Sequence, residues 1–170
     1  MKTGKEDLLQ ALIEAFLMEK GTKEFYSLAA EKAVNPQVRK TFTELSEWEG
    51  KHMDFIQFLY QSIQDNREVK SFEEFSSKTK ALLTEAGIPV KNLEAKAEKY
   101  NFKNETEALA LAMEIEGKAY NLYRRLSQNT ADTNVKVVFE EMAEQETRHI
   151  NYLKKWDRRI KNIYIRRNRV

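Results

Sequence analysis

Glu49-Gly50-Lys51-His52 and, ninety-seven residues later, Glu146-Thr147-Arg148-His149 carry both histidines of this chain. Residues three apart on a helix share one face, so each Glu-x-x-His can aim a carboxylate and an imidazole at the same ion. The flanking residues align at the same offset without a gap: Glu19 with Glu116, Tyr26 with Tyr123, Val38 with Val135, Phe42 with Phe139, Glu47 with Glu144. The chain therefore reads as a duplicated helix pair, each copy offering one lone Glu and one Glu-x-x-His. Six groups are expected to converge: Glu19, Glu49, His52, Glu116, Glu146 and His149. Four buried carboxylates without cations would repel one another and bind protons instead. Two divalent cations cancel their charge.

Oxygen-rich ligands with one imidazole per ion suit iron or manganese, whereas structural zinc prefers thiolates or several imidazoles and calcium seldom takes imidazole. Two such ions joined by carboxylates can share the electrons of O2 or peroxide reduction, so redox chemistry is expected. A single Glu-x-x-His arises readily by chance on a helix. Two of them on apolar seams, in register with two further seam glutamates, point to metal. Tyr26 and Tyr123 fit ordinary core aromatics. Each also lies seven residues from a candidate ligand on the same face, within reach of the groups behind it. Glu47 and Glu144 fall on the far side of their helices, towards solvent.

The elements that must hold these groups are long amphipathic helices. Leu8, Leu12, Ala15, Glu19, Thr22, Tyr26 and Ala29 form one stripe in steps of four and three over about residues 5–33. Glu19 interrupts it where a buried residue belongs. Asn35-Pro36 restarts a helix, Asn as cap and Pro at the first position, and the second stripe runs Val38, Phe42, Leu45, Glu49, His52, Ile56, Leu59 to about Gln64. So short a break makes an antiparallel helix hairpin. Asn104 with Glu107 is a capping box opening a third helix to about Ser127, with Leu109, Ala112, Glu116, Ala119, Tyr123 and Leu126 inward. The fourth, from about Thr133, carries Val135, Phe139, Met142, Glu146, His149, Leu153 and Trp156 and can stay helical to about Tyr164. Between them, residues 65–103 interrupt the repeat: Ser71 with Glu74 opens a short helix that Gly87 can close, and Asn92 caps another ending near Tyr100. This insert can run the length of the bundle or cover one end. The expectation is one domain over residues 1–170, an all-α four-helix bundle of hairpins 5–64 and 104–164 with a helical insert at 65–103.

Composition agrees. Five Gly and two Pro in 170 residues leave few turn formers, which argues against an all-β chain. The absence of cysteine excludes disulfides, thiolate catalysis and any thiolate-bound zinc or iron–sulfur centre within the chain. Glu14 and Glu19 break the first apolar run, which makes a poor signal peptide, and no window approaches the ~18 apolar residues of a membrane span. A cytoplasmic protein with no membrane partner is expected. Net charge is +2, but residues 154–170 hold eight Lys and Arg against Asp157 alone. Such a basic end can attract nucleic acid or an acidic partner; a solvated helix end, where cations suit the dipole, is the simpler reading, with nucleic acid unlikely as a partner.

These residues resemble the ferritin-like diiron-carboxylate proteins, and among them the rubrerythrin-like group. The resemblance rests on Met18-Glu19-x-x-x-x-x-Phe25-Tyr26, on Phe42-x-x-Leu45-x-x-x-Glu49-x-x-His52, and on the same arrangement at Glu116, Tyr123, Phe139, Met142, Glu146 and His149, over about residues 8–64 and 105–157. It implies a ferritin-like bundle around two iron ions, Glu49 and Glu146 bridging and Glu19, Glu116, His52 and His149 terminal. It also implies peroxide reduction or ferrous-iron oxidation, and a homodimer. Rubrerythrins carry a further ligand Glu one turn after the third-helix Glu, where this chain has Ala119. They usually carry a rubredoxin domain too, whose iron needs four cysteines, so an external electron-donor protein is expected here.

Four functions follow as alternatives. The first is a diiron oxidoreductase reducing hydrogen peroxide or O2 with external electrons. The second oxidises and handles ferrous iron, and the third is a dimanganese catalase, since the ligands alone do not separate manganese from iron. The last is a helical binding module without metal.

Overall fold

The computed structural model describes residues 4–67 and 102–167, with side chains as far as residue 159 in the last helix. The short helices expected around Ser71–Gly87 and Asn92–Tyr100, and the last residues of the basic end, lie outside the described residues. Four helices make up the rest: α1 (Lys5–Lys32), α2 (Pro36–Gln64), α3 (Glu105–Asn129) and α4 (Thr133–Arg167). The last runs a few residues past the expected end near Tyr164.

Local chemistry sets the helix starts. Asn35 Oδ1 accepts hydrogen bonds from the amides of Gln37 (2.9 Å) and Val38 (3.4 Å), and Pro36 supplies a first position that has no amide to satisfy. Asp132, ninety-seven residues on, does the same for Asn134 (2.8 Å) and Val135 (3.2 Å). Asn104 caps α3 through the Glu107 amide (2.9 Å) as the capping box predicts. The return bond slips by one residue: Glu107 Oε2 accepts from the Lys103 amide at 2.8 Å rather than from Asn104.

α1 packs on α2 and α3 on α4 as two hairpins, which meet through α1 against α3 and α2 against α4. Their relative direction follows from the contacts at the ends. Glu105 Oε1, in the first turn of α3, accepts from the amides of Val34 (2.8 Å) and Asn35 (2.7 Å), in the turn between α1 and α2. At the opposite end, Lys5 Nζ of α1 donates to the Gln64 carbonyl of α2 at 3.0 Å. α3 therefore starts where α1 finishes, and the two run antiparallel. The connection between α2 and α3 leaves one end of the bundle and returns at the other.

The stripes face inward as their spacing requires, and the core splits into two apolar layers. One gathers Leu12, Phe16, Phe55, Leu59, Tyr123 and Phe139; the other gathers Phe25, Tyr26, Phe42, Leu45, Leu109 and Leu153. Tyr123 stacks on Phe139 in the first and Tyr26 on Phe42 in the second, with ring centroids 6.4 and 5.8 Å apart. The six ionisable groups lie between the layers.

Candidate metal centre

Glu19, Glu49, His52, Glu116, Glu146 and His149 are all buried, at most 3% exposed. Each helix contributes: α1 and α3 one carboxylate apiece, α2 and α4 a carboxylate and an imidazole one turn apart. His52 Nδ1 stands 3.2 Å from Glu49 Oε2, 3.2 Å from Glu146 Oε1 and 3.7 Å from Glu19 Oε1. His149 Nδ1 stands 3.1 Å from Glu49 Oε1, 3.1 Å from Glu146 Oε2 and 3.2 Å from Glu116 Oε2. Glu49 and Glu146 thus each turn one oxygen to either histidine. Two groups result, Glu19–Glu49–His52–Glu146 and Glu49–Glu116–Glu146–His149, whose nearest donor atoms lie within 4.8 Å of one another. Two carboxylates are common to both.

The private carboxylates are held from the opposite hairpin. The Tyr26 hydroxyl on α1 donates to Glu116 on α3, and the Tyr123 hydroxyl on α3 donates to Glu19 on α1. Because α1 and α3 are antiparallel, a residue two turns beyond its own Glu comes level with the other one. The seven-residue spacing puts each Tyr behind the site without naming the group it meets; the bundle directs it to the Glu of the opposite hairpin.

Among the described residues, no hydrogen-bond donor is aligned on any of the four oxygens of Glu49 and Glu146. Buried carboxylate oxygens are strongly disfavoured in that condition. A pair of cations between them is the arrangement that these donors fit: oxygen-rich, one imidazole on each side, two carboxylates positioned to bridge. Electrostatics without cations shows how the cluster avoids repulsion. Burial, reinforced by Glu49 and Glu146, pushes the Glu19 carboxyl well up; burial and Glu146 do the same to Glu116. Burial would lower both histidines, but the surrounding carboxylates raise them well above their ordinary value. Burial also acts to raise Glu49 and Glu146, yet the histidines outweigh it and lower both, Glu49 to about 2. Protons held by the imidazoles and the outer carboxyls thus offset the charge of Glu49 and Glu146, and dications binding there would displace them.

Sequence reasoning did not anticipate the surroundings of His149. Trp48 stacks on its ring (centroids 5.1 Å apart, planes at 16°), and the far face of His149 lies against His52 (5.2 Å, 18°). Tyr152, one turn after His149, sits 5.5 Å from Trp48 and donates its hydroxyl to Glu44. A helical wheel would have placed Trp48 beside Glu49 but could not have told which ring it meets. Ala119, the position at which the resemblance leads one to look for a further carboxylate, is buried in the first apolar layer.

No curated protein matches the sequence. Among solved structures, a dodecameric thioferritin from Bacteroides fragilis, a bacterioferritin-related protein, superposes with a TM-score of 0.71 at 15% identity, over 96% of this chain and 91% of that one. The two-domain protein of Anabaena variabilis with DJ-1/ThiJ/PfpI-like and ferritin-like domains gives 0.68 at 12% identity, over 95% of this chain; the match spans 39% of that protein. At these identities the likeness shows a ferritin-like four-helix bundle. The rubrerythrin family model matches residues 10–108 and 107–168, one match over each hairpin. By those matches, spanning nearly its whole length, the chain belongs to the rubrerythrin family.

Proposed function

We propose that this protein is a non-haem dinuclear iron oxidoreductase that reduces hydrogen peroxide with electrons from an external donor. The observation that carries the reading is the sharing of Glu49 and Glu146, each with one oxygen towards His52 and one towards His149. Glu19 and His52 would complete one ion's ligands, Glu116 and His149 the other's. Bound there, the ion pair supplies the two electrons that peroxide reduction consumes.

The side chains provide the rest. Glu49 and Glu146 hold the spacing between the two halves. Tyr26 and Tyr123 fix the outer carboxylates, and their hydroxyls are the nearest donors able to pass a proton to Glu116 and Glu19. The apolar layers above and below keep out bulk water, which strengthens every charge interaction between them. These 170 residues hold no cysteine to bind a thiolate iron, and an external electron-donor protein is the proposed source of the electrons. Exposed Lys154, Lys155, Arg158 and Arg159 on α4 offer an acidic donor a complementary surface.

Ferrous-iron oxidation and handling is the second reading, favoured by the fold shared with a thioferritin. That neighbour is a dodecamer; for this chain a homodimer is proposed, from the prevalence of two-fold assemblies. A cytoplasmic location is proposed as well; among the described residues no helix is long and apolar enough to cross a membrane. The test is elemental analysis of protein purified without oxygen, then stopped-flow mixing of the reduced form. Two irons per chain oxidised much faster by peroxide than by O2 support the peroxidase. Many irons per chain support iron handling, and peroxide disproportionation by a manganese-loaded protein without reductant supports a catalase. Negligible metal after reloading rejects all three.

A further inference from the structure

The duplication makes an unequal pair of rings visible beside the centre. Trp48, Tyr152 and Trp156 pack together against the second apolar layer, all half-buried. Their equivalents at the ninety-seven-residue offset are Gln145, Phe55 and Leu59. Indole and phenol lose an electron far more readily than amide, benzene ring or alkyl chain. Each half has a buried phenol behind its outer glutamate, Tyr26 or Tyr123, but an indole in line with a second phenol stands on the His149 side, where the repeat offers Gln145 and Phe55 on the other. The line is continuous, Trp48 stacked 5.1 Å from the His149 ring and 5.5 Å from the Tyr152 ring. It also ends in a proton acceptor, because the Tyr152 hydroxyl donates to the Glu44 carboxylate, and Glu44 is partly open to solvent.

We propose that Trp48 and Tyr152 form a one-sided electron relay between the metal centre and the protein surface, with Glu44 as the base that takes the Tyr152 proton. This rests on the peroxide-reducing reading given above. Reduction of H2O2 to two water molecules takes two electrons and two protons. When the centre holds only one electron, the second leaves the Trp48 indole. Tyr152 returns an electron to the indole and passes its phenolic proton to Glu44, ending as a neutral phenoxyl radical. A one-electron donor at the surface reduces the phenoxyl, and Glu44 gives the proton back. The net reaction draws one electron from the centre, one from the donor and two protons from solvent. The relay thus spares the ligands from the half-reduced reaction and gives the donor a point of contact away from the buried ions.

The experiment is freeze-quench electron paramagnetic resonance of the iron-loaded full chain, reduced by one electron and mixed with hydrogen peroxide. The unaltered protein is expected to show a phenoxyl signal. Trp48→Phe is expected to lose it, and Tyr152→Phe, which keeps the ring and its packing, to replace it with an indole signal. Tyr120→Phe, altered away from the centre, is expected to leave it in place. A phenoxyl signal of undiminished intensity in Tyr152→Phe overturns the relay, as does one in a Trp48→Phe protein that still binds two irons. Two bound irons oxidised by peroxide with no protein radical overturn the relay and leave the diiron reading standing. Failure to bind iron removes both.

Discussion

His52 and His149 sit at equivalent places in a duplicated chain, and the metal-facing sides of the two are nearly alike. Each has one private glutamate, the same two shared ones, and a tyrosine reaching over from the other hairpin. Their outer sides differ: Trp48 and Tyr152 stand beside His149, where Gln145 and Phe55 are the equivalents on the His52 side. Six groups that must neutralise one another leave little freedom, because any unmatched charge in a dry interior is costly. Outside that constraint the two copies have diverged.

The sharpest way to break the symmetry of the inner groups is to remove a shared carboxylate. Glu49→Ala or Glu146→Ala is expected to take the protein from two bound ions per chain to none, whereas Glu19→Ala and Glu116→Ala each spare one. Elemental analysis after anaerobic reloading decides it. Equal losses from all four variants would mean that no carboxylate is shared.

Acidity tests the two halves together. In the metal-free protein Glu19, Glu116, His52 and His149 all titrate above their ordinary values. A raised histidine stabilises the fold fully below about pH 6.5, and that contribution is lost as pH climbs through the folded value. A raised carboxyl costs nothing below about pH 4.5 and progressively more above it. Glu49 and Glu146, lowered, contribute a constant amount above about pH 4.5. Metal-free protein should thus lose stability as pH rises above about 4.5 and more steeply above about 6.5, while metal affinity should rise as the protons of those raised groups leave. Thermal melts with and without metal should slope in opposite directions, and titration in weak buffer should release acid. A metal-free melting temperature that climbs with pH would contradict the assignment.

A smaller effect separates the crossed tyrosines. Tyr26→Phe is expected to weaken the ion on the His149 side and Tyr123→Phe the ion on the His52 side, each by roughly 10–100-fold in affinity. Stepwise metal titration, with Trp48 fluorescence reporting the His149 side, tells them apart. The smallest effect lies at the helix starts, where Asn35 and Asp132 are equivalent caps. Asn35→Ala and Asp132→Ala should each cost about 1 kcal/mol in denaturant unfolding. Asp132→Asn should cost only about 0.3–1 kcal/mol, the share due to its charge at the helix dipole.

Much of this was legible beforehand. Glu19 and Glu116 stand out because they break apolar stripes whose period is set by the helix itself, and Asn35-Pro36 and Asn104 mark starts through purely local bonds. The chain between α2 and α3 was ambiguous until Glu105 was found against Val34, a contact between residues seventy-one apart. No stripe or motif in the sequence singles out Trp48.

What the sequence determined by itself was therefore everything that a single helix or a single turn dictates: the stripes, the caps, the duplication, and the six groups that could not be inward by accident. Tertiary structure alone decided which partner each of them meets. Tyr26 serves Glu116 rather than Glu19, Glu49 divides its oxygens between two histidines, and Trp48 covers His149. Spacing along a chain fixes the direction of a side chain about its own axis, whereas the atom it reaches depends on how neighbouring axes run and at what height they pack.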